Sequence, residues 1–306
     1  MAKSEHTFTT NDGINIVYYK HTVENPKANV LIVHGMAEHA QRYDDFANFL
    51  NKNGFNVYAY DQRGHGKTAG SIEKQGFFAE KDGWNKVVGD LKTLIETADA
   101  DFPGIPVFIL GHSMGTFVTR TYIADYDDCV RGVILSGTTG SAGLLGKIGI
   151  LLTNIIMLFK KKNSQSPLMD SLSFGDFNKA FKPNRTKFDW LSRDEKQVDK
   201  YVDDPYCGAV FSVGFYNDMM KGLEYVNKPE TAEKVRKDLP MYLIAGDNDP
   251  VSKNGKQVKD VFGMYKKAGI SNISMKLYEG ARHEILNETN KDEVYNDILT
   301  WLNKTL

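Results

Sequence analysis

The sequence predicts an α/β fold with a mostly parallel central sheet, helices on both faces of that sheet and an inserted helical cap. Short apolar runs rich in β-branched residues alternate with helix-length segments along most of the 306 residues, as strands joined by helical crossovers do. The alternation stops over residues 139–236, which are too many for one loop of a compact sheet. We predict that residues 1–138 and 237–306 form the core and residues 139–236 the cap.

The first predicted element is a β-hairpin, because strand-like residues flank Asp12-Gly13 within residues 5–20. Further strands are predicted at residues 29–33, 55–60, 107–110, 130–135, 241–245 and 273–278. The last element is a helix over residues 291–302, where an apolar residue recurs every four positions.

The composition is that of an ordinary globular protein, with 41% hydrophobic and 25% charged residues and a net charge of −1. This balance argues against a polyanion binder, so we expect no nucleic-acid partner. Two cysteines, Cys129 and Cys207, and no C-x-x-C pair favour a reduced, intracellular chain, with one long-range disulfide left open. The polar N-terminus has no apolar leader segment, which predicts a cytoplasmic location.

Residues 111–115, GHSMG, match the G-x-S-x-G pattern of a nucleophile elbow. In that turn a serine is exposed between a strand and a helix, and glycines leave room for close packing around it. The alternative is that Ser113 only caps a helix. An apolar run before the serine and a helical pattern after it favour the nucleophile.

A serine nucleophile needs a base and an acid, which follow it in the order Ser, acid, His in this type of site. Of the seven histidines, His283 alone follows Ser113, and it stands just after the last predicted strand. The acid should follow the preceding strand, where Asp247 and Asp249 both occur. One of them is expected to form the turn and the other to orient His283, and spacing alone does not choose between them.

These segments, taken in order, resemble the α/β-hydrolase superfamily. Within it, the chain is similar to the monoacylglycerol lipase and bacterial lysophospholipase group of serine-aminopeptidase-like hydrolases. The resemblance spans nearly the whole chain outside the cap and rests on HGMAEHAQRYDDFANFL, DQRGHGKT, GHSMG, AGDNDPV and GARHEILNE. It implies the α/β-hydrolase fold and a Ser-Asp-His triad.

The resemblance also implies particular site residues. Asp249 matches the acid of the pattern G-x-x-D-x-[VIL], so it is preferred over Asp247. The backbone N–H groups of Met36 and Met114 are the implied oxyanion donors. Glu38 and Arg42 are implied to border the polar end of the pocket, and the alternative is that they are ordinary solvated or ion-paired surface residues.

Two other motifs fail on inspection. DQRGHGKT ends like a phosphate-binding loop, but Asp61 stands where that motif needs its first glycine. HEILN begins like a zinc-protease helix, but Asn287 replaces the second histidine. We therefore predict no metal and no cofactor.

Residues 144–162 are the most apolar stretch of the chain, yet they are shorter than the ~20 apolar residues that span a bilayer. They form either a helix packed on the core or a cap helix at the mouth of an acyl pocket. In the second case the helix contacts a lipid surface transiently, with Lys160, Lys161 and Lys162 at the headgroup level. The protein is then peripheral at the membrane.

The predicted reaction is the hydrolysis of carboxylic esters, in which Ser113 attacks, His283 moves the proton and water releases the acyl-enzyme. The expected substrate is a small acyl ester or a lipid such as a monoacylglycerol or lysophospholipid. An aminopeptidase is the first alternative, with the same triad and with Asp170, Asp176 or Glu195 holding an α-ammonium group. A non-catalytic lipid-binding protein on the same fold is the second alternative.

Overall fold

The computed structural model describes residues 2–126 and 130–306, and an eight-stranded sheet lies at its centre. The strands are β1 (Ala2–Thr9), β2 (Asn15–Thr22), β3 (Asn29–Val33), β4 (Asn56–Tyr60), β5 (Val107–His112), β6 (Val130–Ser136), β7 (Met241–Gly246) and β8 (Ile273–Tyr278). They lie in the order β1-β2-β4-β3-β5-β6-β7-β8. The strands predicted after the hairpin are all present, and their ends agree to within two residues.

The strands β1 and β2 form the predicted hairpin, with Thr9 paired to Asn15 across the turn. β2 also pairs antiparallel with β4, whereas the pairs from β4 through β8 are parallel. The carboxyl ends of the parallel strands therefore meet at one edge of the sheet, which is where ligands bind in open α/β sheets.

Helices cover both faces of the sheet, as predicted. Their bounds are α1 (Asp44–Lys52), α2 (Gly83–Asp101), α3 (Met114–Asp125), α4 (Gly143–Phe159), α5 (Pro167–Phe174), α6 (Glu195–Asp203), α7 (Val213–Val226), α8 (Pro229–Lys234), α9 (Lys256–Lys267) and α10 (Lys291–Thr305). Within β3, Leu31 and Val33 pack in the core cluster that contains α2 and α3, while Val30 and Ile32 pack in the cluster that contains α1 and α10. This alternation is the period of two that a strand imposes.

Five helices, α4 to α8, lie between β6 and β7, where the sequence predicts an inserted cap. Residues of α7 such as Phe215 pack with Trp84 of α2 in the core cluster, so this insertion is anchored on the sheet's helical layer. In contrast, α4 buries only Thr153 among its residues. Among the described helices, none combines the length and the apolar character needed to cross a bilayer.

Candidate active site

Ser113 occupies the turn between β5 and α3 in a strained backbone conformation, with φ 51° and ψ −119°. A non-glycine residue rarely adopts a positive φ, and such strain is concentrated at functional sites. The turn is held from both sides: Ser113 N donates to Ser136 O at 2.9 Å, and Ser113 O accepts from Thr116 N at 2.9 Å. The hydroxyl is therefore carried by a fixed backbone at the carboxyl edge of the sheet.

The glycines on either side of Ser113 are required by close packing. A Cβ on Gly115 would lie 2.0 Å from Val33 O, and a Cβ on Gly111 would lie 2.6 Å from Gly115 O. Since both contacts are with backbone atoms, a side chain at either position would force α3 away from the sheet. This packing is the physical basis of the G-x-S-x-G pattern here.

His283 and Asp249 are both buried, and His283 Nδ1 lies 3.1 Å from Asp249 Oδ1. Val251 N donates to the same carboxylate oxygen at 2.9 Å, which fixes the carboxylate's orientation. Asp247 is exposed and instead accepts a hydrogen bond from Gly280 N at 2.7 Å. The structure thus brings Asp249 to His283 and leaves Asp247 in the turn.

The electrostatic surroundings of His283 favour its protonated form. Burial by itself lowers the pKa of the imidazole, but the charge and hydrogen bond of Asp249 outweigh it, and Glu284 and Glu38 add to the increase. The pKa of His283 therefore lies above its ordinary value. An imidazolium that forms when His283 accepts a proton is stabilised by the same carboxylates.

Aromatic rings surround the His283 imidazole. The ring of His112, which precedes Ser113, lies 4.8 Å from it, and the ring of Trp190, from the insertion between β6 and β7, lies 5.4 Å from it. Burial, followed by the charge of His283, lowers the pKa of His112 to about 4, so His112 is neutral at neutral pH. His112 is therefore a packing residue of the turn.

Residues 34–39, which follow β3, form a loop that we call the oxyanion loop because it contains Met36, a predicted oxyanion donor. A Cβ added to Gly35 would lie 3.2 Å from Ser113 Cβ, so this loop lies directly beside the serine. Met36 follows Gly35 in the loop, and Met114 is the first residue of α3, where N–H groups have no intrahelical acceptor. Both predicted donors therefore belong to backbone that borders Ser113.

His34 anchors the start of the oxyanion loop. Its Nε2 accepts a hydrogen bond from Gln62 N at 3.0 Å, and its carbonyl accepts one from Gln62 Nε2 at 2.6 Å. Burial lowers the pKa of His34 to about 3, so the imidazole stays neutral. His34 is thus a structural residue that holds the start of this loop.

Glu38 and Arg42 lie in a buried ion cluster with Glu284. Arg42 Nη1 lies 2.8 Å from Glu38 Oε2, and its two Nη atoms lie 2.5 and 2.6 Å from the Glu284 carboxylate oxygens. Glu38 Oε1 accepts from Gly35 N at 2.6 Å and from Tyr43 OH at 2.8 Å. These two residues are therefore ion-paired, as one part of the alternative has it, but their side chains are largely buried and not on the surface.

Within residues 2–126 and 130–306, one group of three side chains has the chemistry and spacing of metal ligands. It consists of His39, Asp204 and Cys207, with ligand atoms within 4.8 Å of one another. His39 Nε2 is already 2.8 Å from Asp204 Oδ2. Burial raises the pKa of the free Cys207 thiol, whereas metals bind the thiolate, so we assign no metal to this group. Cys129 lies outside the described residues.

Three residues at the site were not singled out from the sequence: Glu284, Trp190 and Tyr201. Glu284 directly follows His283. A charged residue next to the predicted base was the only feature of the local sequence that could have pointed to it. Trp190 and Tyr201 belong to the insertion, and their contacts with residues far away in the chain have no local sequence pattern.

Comparison with known proteins gives matches over nearly the full length. The chain is 29% identical over 297 residues to a monoglyceride lipase homolog of Monkeypox virus, covering 95% of both chains. It is 28% identical over 307 residues to a monoacylglycerol lipase of Mycolicibacterium smegmatis, covering 98% of this chain and 97% of the relative. The crystal structure of a thermostable carboxyl esterase from Bacillus coagulans superposes with a TM-score of 0.93 at 30% identity, covering 100% of this chain and 99% of that one.

These matches confirm both the α/β-hydrolase fold and the resemblance inferred from the sequence motifs. A family model described as serine aminopeptidase, S33, matches residues 24–290, a range that includes Ser113, Asp249 and His283. With the fold, the sequence order of these residues and the family match in agreement, the chain belongs to the serine aminopeptidase S33 family of α/β-hydrolases.

Proposed function

We propose that this chain is a serine hydrolase that cleaves carboxylic esters through an acyl-enzyme. The observation that carries the proposal is the buried pairing of His283 Nδ1 with Asp249 Oδ1 at 3.1 Å, at the sheet edge that also carries the strained Ser113. The similarity to monoacylglycerol lipases and to a carboxyl esterase supports an ester as the bond that is cleaved.

In the proposed reaction, Ser113 Oγ attacks the ester carbonyl while His283 Nε2 accepts the hydroxyl proton, because Nδ1 is held by Asp249. The Met36 and Met114 N–H groups stabilise the oxyanion of the tetrahedral intermediate. His283 then donates its proton to the leaving alcohol. Water, deprotonated by His283, attacks the acyl-enzyme, and the proton returns to Ser113 when the acid leaves.

We propose an acyl lipid, such as a monoacylglycerol or lysophospholipid, as the substrate. The names of the relatives support this class, and so does an aromatic cluster that reaches His283. Trp190, whose ring lies 5.4 Å from that of His283, belongs to a cluster of aromatic side chains from the insertion. The cluster also contains Phe174, Phe177, Phe181 and Phe188.

The proposed cap, residues 139–236, carries a second apolar surface that supports contact with a membrane. The α4 patch, as we call it, consists of exposed side chains on α4: Leu144, Leu145, Ile148, Leu151, Ile155, Leu158 and Phe159. A contiguous apolar surface of this kind marks a site of interaction. With Lys160 and Lys161 exposed beside it, the helix fits the interface of a bilayer, where apolar side chains enter the acyl region and lysines reach the headgroups.

The decisive experiment combines a Ser113→Ala variant with a substrate panel. Turnover of esters should fall by about 10³-fold or more while the fold is retained, because only the oxyanion donors and binding remain. The panel comprises nitrophenyl esters of rising chain length, a monoacylglycerol, a lysophospholipid and an amino-acid arylamide. Wild-type activity of Ser113→Ala, or a failure of a fluorophosphonate to label wild-type Ser113, would contradict the proposal.

The arylamide distinguishes the aminopeptidase alternative. Of the cap carboxylates available for an α-ammonium group, Asp176 and Glu195 have side chains that are 81% and 76% exposed. Asp170 accepts a hydrogen bond from Tyr216 OH at 3.1 Å. These placements give no particular support to an amino-terminal substrate. Faster hydrolysis of the arylamide than of every ester would nevertheless reverse the assignment.

A further inference from the structure

The ion cluster of Glu38, Arg42 and Glu284 connects two loops that the proposed reaction uses. Glu38 belongs to the oxyanion loop, and its Oε1 accepts the Gly35 N–H at 2.6 Å, one residue before Met36. Glu284 directly follows His283. Arg42 lies between the two carboxylates, forming two bonds to Glu284 and one to Glu38.

Residues of the insertion between β6 and β7 also contact this cluster and the oxyanion loop. The guanidinium carbon of Arg42 lies 4.8 Å from the centre of the Tyr201 ring, a cation–π distance. Tyr201 OH donates to Ala37 O at 2.9 Å, within the oxyanion loop. Leu191 O accepts from Glu284 N at 2.8 Å. The cluster is therefore held on several sides and is shielded from water, which would otherwise screen its charges.

We propose that Glu284, Arg42 and Glu38 form a positioning clamp that fixes the oxyanion loop relative to His283, so that the oxyanion donors and the base act on one substrate geometry. The inference rests on the proposed ester hydrolysis and deepens it. All three residues are positioning residues: they act through the Gly35–Met36 backbone and through the loop that carries His283.

The charge balance of the clamp shows which variant is informative. One guanidinium faces two carboxylates, so Arg42 variants would leave two like charges buried together, which strongly destabilises proteins. Glu284→Gln instead leaves a neutral Arg42–Glu38 pair and an amide oxygen that can still accept one hydrogen bond. This variant weakens the connection between the loops without leaving an unpaired charge.

We expect Glu284→Gln to lower kcat for a short soluble nitrophenyl ester about tenfold, as misplacement of catalytic groups does, while KM changes less than kcat. The acid limb of the pH profile should also move to lower pH, since Glu284 contributes to the raised pKa of His283. The other groups facing His283 are Asp249, Glu38 and neutral His112, with Arg42 behind the carboxylates. These remain in the variant.

Glu284→Asp is the second variant, because it retains the charge and shortens the reach. It should lower kcat while leaving the acid limb in place, which separates positioning from electrostatics. Glu288→Gln is the matched control. This buried carboxylate lies in the same segment but binds Arg193 Nε and the Arg282 N–H instead of Arg42. It should lower the melting temperature without shifting the acid limb.

The outcomes distinguish a failure of the proposed function from a failure of the clamp. If the wild-type protein neither hydrolyses the ester nor reacts with a fluorophosphonate, the proposed function fails. If the wild-type protein is active and folded Glu284→Gln keeps both its kcat and its acid limb, the clamp is overturned. Should Glu284→Gln unfold at the assay temperature, a wild-type kcat for Glu284→Asp would overturn the clamp equally.

Discussion

At the scale of single residues, the site depends on which of two neighbouring aspartates contacts the histidine. The sequence places Asp247 and Asp249 in the same turn after β7, and from spacing alone either could orient His283. In the structure Asp249 is buried and lies 3.1 Å from His283 Nδ1, whereas Asp247 points to the surface side of the turn and holds Gly280 N. The two carboxylates therefore have different expected roles.

We predict that Asp249→Asn lowers kcat about 10³- to 10⁴-fold with the fold intact, because an amide does not stabilise the imidazolium or the required tautomer. The pH profile gives the second readout. Ester hydrolysis needs neutral His283, so kcat/KM should fall as the pH drops through the pKa of His283, which lies above its usual 6.5. The loss of the Asp249 charge should move that limb to lower pH.

Asp247→Asn is the matched control for this measurement. Its exposed side chain can still accept the Gly280 N–H through the amide oxygen, so kcat and the acid limb should stay at the wild-type values. A large loss in Asp247→Asn together with an active Asp249→Asn would mean that the acid has been assigned to the wrong aspartate.

At the scale of elements, α4 is turned with its apolar side outward. At helical spacing Gly146, Lys147, Thr153 and Asn154 fall along one side of α4. This pattern alone does not determine which side of the helix faces the protein. In the structure Thr153 is buried, and its hydroxyl accepts from Asn217 Nδ2 of α7 at 2.7 Å. A polar contact thus attaches the helix, while the wide apolar side is left exposed.

This orientation predicts that the α4 patch contributes to binding of a lipid surface and not to the hydrolysis step itself. The two side chains Leu158 and Phe159 are 78% and 84% exposed. A variant that combines Leu158→Ser with Phe159→Ser, which we call the α4 variant, should lower binding to phospholipid vesicles tenfold or more. Burying one such side chain is worth about 1.5–3 kcal/mol. Cosedimentation measures the binding. Hydrolysis of a short soluble ester, measured in parallel, should stay unchanged.

Ile72→Ser is the control for the α4 patch, because Ile72 is also a large exposed apolar residue, at 46%, and lies outside the patch. It should leave vesicle binding unchanged. Equal losses in Ile72→Ser and in the α4 variant would point to nonspecific hydrophobic contact instead of a defined surface.

At the scale of the whole molecule, the insertion and the sheet meet at the oxyanion loop. Ala37 O accepts hydrogen bonds from Tyr201 OH at 2.9 Å and from Gly208 N at 3.0 Å. Both donors come from the insertion, and Ala37 follows Met36. The position of the proposed cap is therefore coupled to the backbone that carries a proposed oxyanion donor.

We predict that Tyr201→Phe lowers kcat for a soluble ester about 2- to 10-fold, since one hydrogen bond contributes about 0.5–1.5 kcal/mol. The ring remains stacked on Arg42 in this variant, so the melting temperature should change little. Steady-state kinetics and thermal melting measure the two effects.

Tyr225→Phe is the matched control, because Tyr225 OH also joins the insertion to the core, through Asp125 of α3. That contact lies at the far end of α3 from Ser113. The control should therefore leave kcat unchanged. An equal loss in both variants would show that kcat follows the general attachment of the insertion and not the contact with Ala37.

Much of this protein is determined by local sequence. Alternating apolar runs defined the strands to within two residues, because a buried strand needs few residues and each of them must be apolar. The G-x-S-x-G turn could also be predicted from the sequence. Only glycine fits at position 115, because a Cβ there would clash with Val33 O. The single downstream histidine indicated the base from chain order alone.

The tertiary structure alone decided the contacts that join distant segments. Glu284 meets Arg42 across 242 positions of sequence, Tyr201 meets Ala37 across 164, and the outward side of α4 depends on Asn217 of another helix. No local sequence pattern predicts such pairs. Ion pairs, contacts of the insertion and the orientation of a helix depend on which surfaces meet when the chain packs. The sequence therefore predicted which residues carry the proposed chemistry, and the packing decided which contacts hold those residues in place.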